Sequence, residues 1–508
     1  MRTVLREIGQ SSIIAVLALI GLLICSAILS PVPAADDQNG TVVPRKIYMF
    51  YNPDVARLKE QPGHLLAAMP LNFLGMDIVY VPSTAALPDI ANDPEVRGIV
   101  TWFENGWMEN PRAWIQWTNK LLDKGKKVVI IGDMGFRTGR DGRPNITIGE
   151  INNLLARLGF RTDEGWSDTT FDSRIIKREP GFYDYEREMT ARLPAYELYR
   201  PTRPDVHSFL VVQRGKKGPK SHLAMTSKNG GFIEIGWAYY KDPVYFKTQW
   251  YMNPFHFFRE ALRTDDLPKA DASTLSGRRM YYSHIDGDGW RNVSLADKYR
   301  KAQTYSAEVV LKEAIEAYPD LPITVGPIAA DLDPAWSGDE AAQDIARRLF
   351  VLPQVELAHH TFSHPFEWEF FEDYTDAKEY PFLRLYNIHQ ARDWGVESIG
   401  DAADAKPVYS LKAAYDQPRG FGSFPFDLKK EFGGAAEVVN QFAPPGKKVE
   451  IVLWSGNTSP TENMLKASRE AGLLNLNGGD MRFDPEFPSV SFVPPVGIRV
   501  GSQLQIYA

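Results

Sequence analysis

The chain has 508 residues, 44% hydrophobic and 24% charged, which is globular rather than disordered composition and enough length for two domains with an extension. A net charge of −7 with both signs interspersed excludes the basic stripe that a nucleic-acid binder needs. The single cysteine, Cys25, lies in an N-terminal apolar run, so the remainder has no disulfide, no thiol nucleophile and no thiolate metal ligand.

Arg2 and Arg6 precede that run, Ile13 to Leu29, and Val32-Pro33-Ala34 then sets small residues where a signal peptidase cuts. The run also approaches the length of a bilayer span. Residues 1–35 therefore read as a cleaved signal peptide or as an N-terminal membrane anchor. Both take the chain out of the cytoplasm, and a large exported chain without disulfides fits the periplasm or cell envelope of a bacterium.

After a polar linker, strand-like and helix-like stretches alternate from Lys46. Strands are predicted at 46–51, 76–81, 98–102 and 127–131, with helices near 55–70 and 111–124. Such alternation implies a parallel sheet covered by helices. The turn Gly132-Asp-Met-Gly135 closes the last of these strands but has no glycine-rich phosphate cradle, and it reads as a tight strand exit. Residues 164–242 are rich in strands, and 253–263 read as a closing helix. Residues 45–265 thus form an α/β domain of flavodoxin- or amidotransferase-like pattern without evident catalytic residues.

A second polar linker at 265–278 leads into a domain at 279–508. Its strand at 279–285 runs into Asp286-Gly287-Asp288-Gly289, a helix follows at 306–318, and a strand at 355–358 delivers His359-His360-Thr-Phe-Ser-His364-Pro365. An insertion occupies 366–425. Strands at 449–453 and 473–476 end at Trp454-Ser455-Gly456-Asn457 and Asn477-Gly-Gly-Asp480. Motifs recur at the carboxyl ends of strands, the rim where a β/α barrel builds its chemistry.

His360 and His364 are spaced i, i+4, so on a helical turn both imidazoles face one divalent ion. Asp286 and Asp288 are i and i+2 of an extended stretch and aim into one cleft, although an Asp-Gly turn of no function has the same sequence. An EF-hand is excluded because the further ligands of its loop are missing. Two imidazoles and one carboxylate make an open three-ligand site for a divalent metal, most simply zinc, and the other aspartate remains free as a base.

These residues resemble the metal motifs of NodB-type polysaccharide deacetylases. His360-Thr-Phe-Ser-His364-Pro fits the family's second motif. Asp286-Gly-Asp288 is its first motif with an inserted glycine, similar to a divergent branch that includes the deacetylase region of Pel exopolysaccharide modification proteins. The resemblance covers about residues 279–508 and implies a distorted NodB-like β/α barrel. In it Asp288, His360 and His364 bind the metal, and Asp286 is the general base. Trp454, Ser455, Gly456 and Asn457 border the acetyl pocket with a backbone N–H for the oxyanion, and Asp480 lies on the same rim. Trp454 has strand-end packing as its alternative role, and His284 has a place facing the cleft as its second.

Two departures stand out. The family's Arg-x-Pro-Tyr motif is missing, leaving Arg291 and Arg482 as substitutes to steady the base. No histidine follows His389, so the family's late acid has no match, and the chain ends at Tyr507-Ala508 without a closing helix. A C-terminally truncated chain, an acid from elsewhere (His389 is one candidate) and an inactive copy are the three alternatives. The expected function is hydrolysis of N-acetyl groups on an amino-sugar exopolysaccharide or envelope glycan. Its rivals are a non-catalytic glycan-binding scaffold and a metal hydrolase of esters or phosphates.

Overall fold

Apolar runs rich in β-branched residues set the first sheet. Strands β1 (Lys46–Tyr51), β2 (Asp77–Pro82), β3 (Val96–Phe103) and β4 (Lys127–Gly132) pair in parallel. All but the first residue of β4 are buried, as strands covered on both faces must be. The chain continues with β5 (Ser173–Arg178), β6 (His207–Arg214), β7 (Lys220–Ser227) and β8 (Gly230–Ile233), and the sheet order is β2-β1-β3-β4-β8-β7-β6-β5. Strand β8 lies parallel to β4 but antiparallel to β7, so the strand-rich stretch adds an antiparallel wing to the expected parallel sheet. A two-residue turn, Lys228-Asn229 followed by Gly230, closes the β7–β8 hairpin.

The computed structural model describes residues 42–143, 146–190, 192–268, 281–386, 394, 415–422, 424–478 and 483–506. The signal or anchor at 1–35 and linker residues 269–278 lie outside these, and among the described residues no helix is long and apolar enough to cross a membrane. Helix Pro111–Asp123 lies where expected, and a further helix, Ile148–Leu158, follows; Asn110 caps the first by accepting from the Ala113 N–H, and Thr147 and Glu150 form a capping box on the second. The helix expected near 55–70 is instead a 3₁₀ turn (Leu58–Glu60), a wide turn (Gly63–Ala67) and a short helix (Ala68–Phe73). Pro62 has no N–H to give and interrupts the ladder there.

The second sheet is a curled, open half-barrel of five parallel strands in chain order: β9 (His284–Ile285), β10 (Ile323–Val325), β11 (Val355–His359), β12 (Ile451–Leu453) and β13 (Leu474–Leu476). The helix expected at 306–318 is shorter, Ser306–Val310 followed by a wide turn to Ile315. Two large apolar cores result, with two small clusters beside them. One runs from Ile47 to Leu262 around the first sheet, the other from Trp290 to Leu473 around the second. Polar clasps join the halves. Lys59 Nζ donates to the carbonyls of Asn457 (2.6 Å) and Thr458 (3.1 Å), and Glu186 accepts from Ser489 Oγ (2.5 Å) and the Val490 N–H (2.8 Å).

Candidate metal centre

The carboxyl ends of β9, β11 and β12 converge on one point. Asp288 Oδ1 lies 2.7 Å from His364 Nε2 and 3.6 Å from His360 Nε2, and Asp286 Oδ2 lies 3.9 Å from His360 Nε2. Asp288, His360 and His364 form a triad able to hold a metal ion, with one ligand atom from each inside a 4.8 Å span.

The two histidines reach that point by a route different from the expected helical turn. Residues 360–366 are an irregular loop with Thr361 (φ 63°) and His364 (φ 55°) in the left-handed region, a conformation disfavoured for both residue types. Glu431 holds it. This buried carboxylate accepts from the N–H groups of Phe362 (3.0 Å) and Ser363 (2.9 Å) and from the Ser363 hydroxyl. A facing segment adds rungs: Gly420 N–H donates to the His364 carbonyl and Phe421 N–H to that of Ser363, both at 3.0 Å. Beneath it the fully buried Arg419 grips Glu379 through two bonds of 2.9 Å and reaches Ser363 Oγ at 3.4 Å.

The donor set fits a cation. His360 Nδ1 lies 2.9 Å from the Leu453 carbonyl, which can only accept, so the proton is on Nδ1 and Nε2 presents a lone pair. Nε2 of His360 and of His364 are buried and make no well-formed hydrogen bond among the described residues, each facing the Asp288 carboxylate at 3.6 and 2.7 Å respectively. Such orphaned atoms cost about 1–3 kcal/mol each unless something else meets them. In a tetrahedral site with bonds of about 2.0–2.2 Å, neighbouring ligand atoms lie about 3.3 Å apart. The observed 2.7 and 3.6 Å bracket that value. The imidazoles of His360 and His364 hold Asp288 well below the usual carboxylate range, while burial pushes His364 down. Asp288 keeps 62% of its side chain exposed, which leaves one face open.

Around the triad, Asp286 Oδ2 accepts from Asn477 Nδ2 (3.3 Å), and Asn477 Oδ1 faces His284 Nε2 (3.2 Å). His284 thus touches the site only through Asn477. Gly289 has a positive φ (77°), as expected for the Asp-Gly turn. Gly287 is there for a different reason, since a Cβ on it would sit 2.4 Å from the Ile328 nitrogen. His359 is not one of the ligands. It is fully buried, its Nδ1 accepts from the Thr361 N–H (3.0 Å), and burial pushes its pKa down to about 3.

Trp454 is fully buried between Trp368 and Phe432, with its indole N–H on Asn475 (3.1 Å), so its side chain packs rather than facing a substrate. Ser455 Oγ donates to the Pro365 carbonyl (2.8 Å), and Asn457 Nδ2 to Glu369 (2.6 Å). Gly456 (φ 57°) lies so close to Phe366 that a Cβ would come within 2.4 Å of its carbonyl oxygen. The N–H groups of Trp454, Asn457 and Thr458 are spent on Leu476, Phe366 and Ser455. Among the described residues no acceptor meets the Ser455 and Gly456 N–H groups. Arg291 does not reach Asp286, because it pairs with Asp339 at 3.1 Å. Asp480, Arg482 and His389 lie outside the described residues.

Sequence reasoning did not single out Glu431, Arg419 or the Leu453 carbonyl, and it named Asn477 only as the first residue of the strand-end Asn477-Gly-Gly-Asp480 stretch, with no role. No protein-family model matches the chain, and no curated protein matches it either.

Proposed function

We propose that the chain is a metal-dependent carbohydrate deacetylase of NodB type, exported to the bacterial envelope, which removes N-acetyl groups from an amino-sugar polymer. The observation that carries this reading is the meeting of Asp288, His360 and His364, with Asp286 beside them, its Oδ1 accepting from the Asp288 N–H (3.4 Å) and its Oδ2 3.9 Å from His360 Nε2. The half-barrel supports it, since the site stands at the carboxyl ends of parallel strands. The order β2-β1-β3-β4-β8 in the other half supports the flavodoxin-like assignment.

A divalent ion on the triad, zinc by its nitrogen and oxygen donors, would supply Lewis-acid activation of water and of the acetyl carbonyl. The residues do the rest. Asp286, steadied by Asn477, accepts the proton of the attacking water. The Ser455–Gly456 backbone offers N–H groups to the oxygen that gains charge. The Leu453 carbonyl keeps His360 in the tautomer that presents Nε2.

The alternative is a non-catalytic glycan-binding scaffold. Acetate release from an N-acetylglucosamine oligomer, measured with zinc-loaded protein, separates the two. The wild type should release acetate, and Asp286→Asn should keep its metal while losing about 10²- to 10⁴-fold in rate. Zinc-loaded wild type that yields no acetate would favour the scaffold.

A further inference from the structure

A cavity of about 630 Å³ opens at the carboxyl ends of β1 and β3, with Val55 and Ala56 from the loop after β1 and Phe103, Glu104 and Asn105 from the end of β3 among its walls. This is where the strand order reverses: the chain leaves β1 towards β2 on one side and returns on the other as β3. Loops diverging from such a switch point leave the crevice in which α/β sheets bind their ligands. The other wall comes from the second half of the chain, at Gly478, Ser491, Phe492 and Pro494.

The lining selects a ligand class. Phe103, Tyr239, Phe246 and Phe492 give it flat apolar faces. Its charges are largely spent: Lys59 on the Asn457 and Thr458 carbonyls, Glu60 on Arg57, and Glu104 on the Tyr239 hydroxyl. Lys241 is the remaining lysine of the lining. No glycine-rich cradle follows β1, where the chain reads Asn52-Pro-Asp-Val-Ala-Arg57. A phosphorylated ligand would find neither that cradle nor a cation cluster. An uncharged ring with one apolar face and a polar edge fits, and that describes a sugar residue.

The cavity is also tied to the metal centre. Gly478 forms part of its wall, and the preceding residue, Asn477, donates to Asp286. Lys59 lines the cavity while holding the turn that follows Ser455 and Gly456. We infer that this cavity is a glycan subsite, holding uncharged sugar residues that neighbour the one presented to the metal centre. The inference rests on the proposed function for its ligand class.

The test uses the full-length protein, stripped of metal with a chelator and titrated calorimetrically with the hexamer of N-acetylglucosamine. Phe246 is 68% exposed and lies outside the apolar core, so Phe246→Ala should fold normally. The hexamer should bind wild type, bind Phe246→Ala about five- to tenfold more weakly, as loss of one stacking face implies, and recover with Phe246→Trp. Acetate release by the zinc-loaded wild type is followed in parallel. Hexamer binding that Phe246→Ala leaves unchanged, or no binding at all, overturns the subsite, whether or not acetate appears. Binding that depends on Phe246 without acetate release upholds the subsite and refutes the deacetylase assignment instead.

Discussion

Replacing Arg419 by methionine tests how the metal loop is held. Arg419 and Glu379 are both fully buried, and the guanidinium meets the carboxylate through two bonds of 2.9 Å while also reaching the Phe424 carbonyl and Ser363 Oγ. Methionine fills much of the same volume but leaves the Glu379 charge, among the described residues, with the hydroxyls of Tyr374 and Tyr386. Removing one partner of a buried pair costs about 3–5 kcal/mol, whereas replacing both can be nearly neutral. Arg419→Met should therefore lose about 3–5 kcal/mol in urea unfolding of metal-free protein, and the double variant with Glu379→Gln should recover at least about 1.5 kcal/mol of it. Because Arg419 reaches Ser363 in the loop that carries both histidines, the single variant should also bind zinc more weakly. A single-variant loss below about 1 kcal/mol, or a double variant that is simply additive, would refute the view that this pair holds the loop.

Other outcomes follow from the same structure. Gly456→Ala, with a Cβ forced against Phe366 at a positive φ, should cost at least about 2 kcal/mol in thermal or urea unfolding. Asn477→Ala should lower the acetate-release rate about tenfold through a looser Asp286 while metal content, read by mass spectrometry, stays at the wild-type level. Glu234 is buried, and that burial pushes its pKa from 4.5 up to about 8. Its protonated form is the one folding favours, so the stability it contributes is full below about pH 4.5 and is lost as pH rises towards 8. Measured against Glu234→Gln, the wild type should lose up to about 1.4 kcal/mol per pH unit across that window. A constant difference between the two profiles would contradict the assignment.

The triad was legible in the sequence because ligand chemistry restricts it to few residue types, and apolar runs placed those types at strand ends. The loop that carries it was not. Spacing i, i+4 suggested a helical turn, whereas Thr361 and His364 take left-handed angles that nothing in their own sequence requires. The cause is Glu431, 68 residues beyond Ser363 and invisible to local pattern. Trp454 shows the converse. Its position in sequence left a pocket wall and strand-end packing both open, and the rings of Trp368 and Phe432, brought from distant segments, decide for packing. The parallel core of the first sheet followed from apolar runs, while its antiparallel wing depended on hairpin pairings that composition does not specify.

The most direct measurement is X-ray absorption at the zinc edge of the loaded protein, with metal content determined on wild type and His364→Ala. Wild type should hold one ion per chain, in a shell of nitrogen and oxygen at about 2.0–2.2 Å with two imidazoles and no sulfur, and His364→Ala should lose the ion. A wild-type chain that holds no metal, or a variant that holds it as tightly, would contradict the metal assignment.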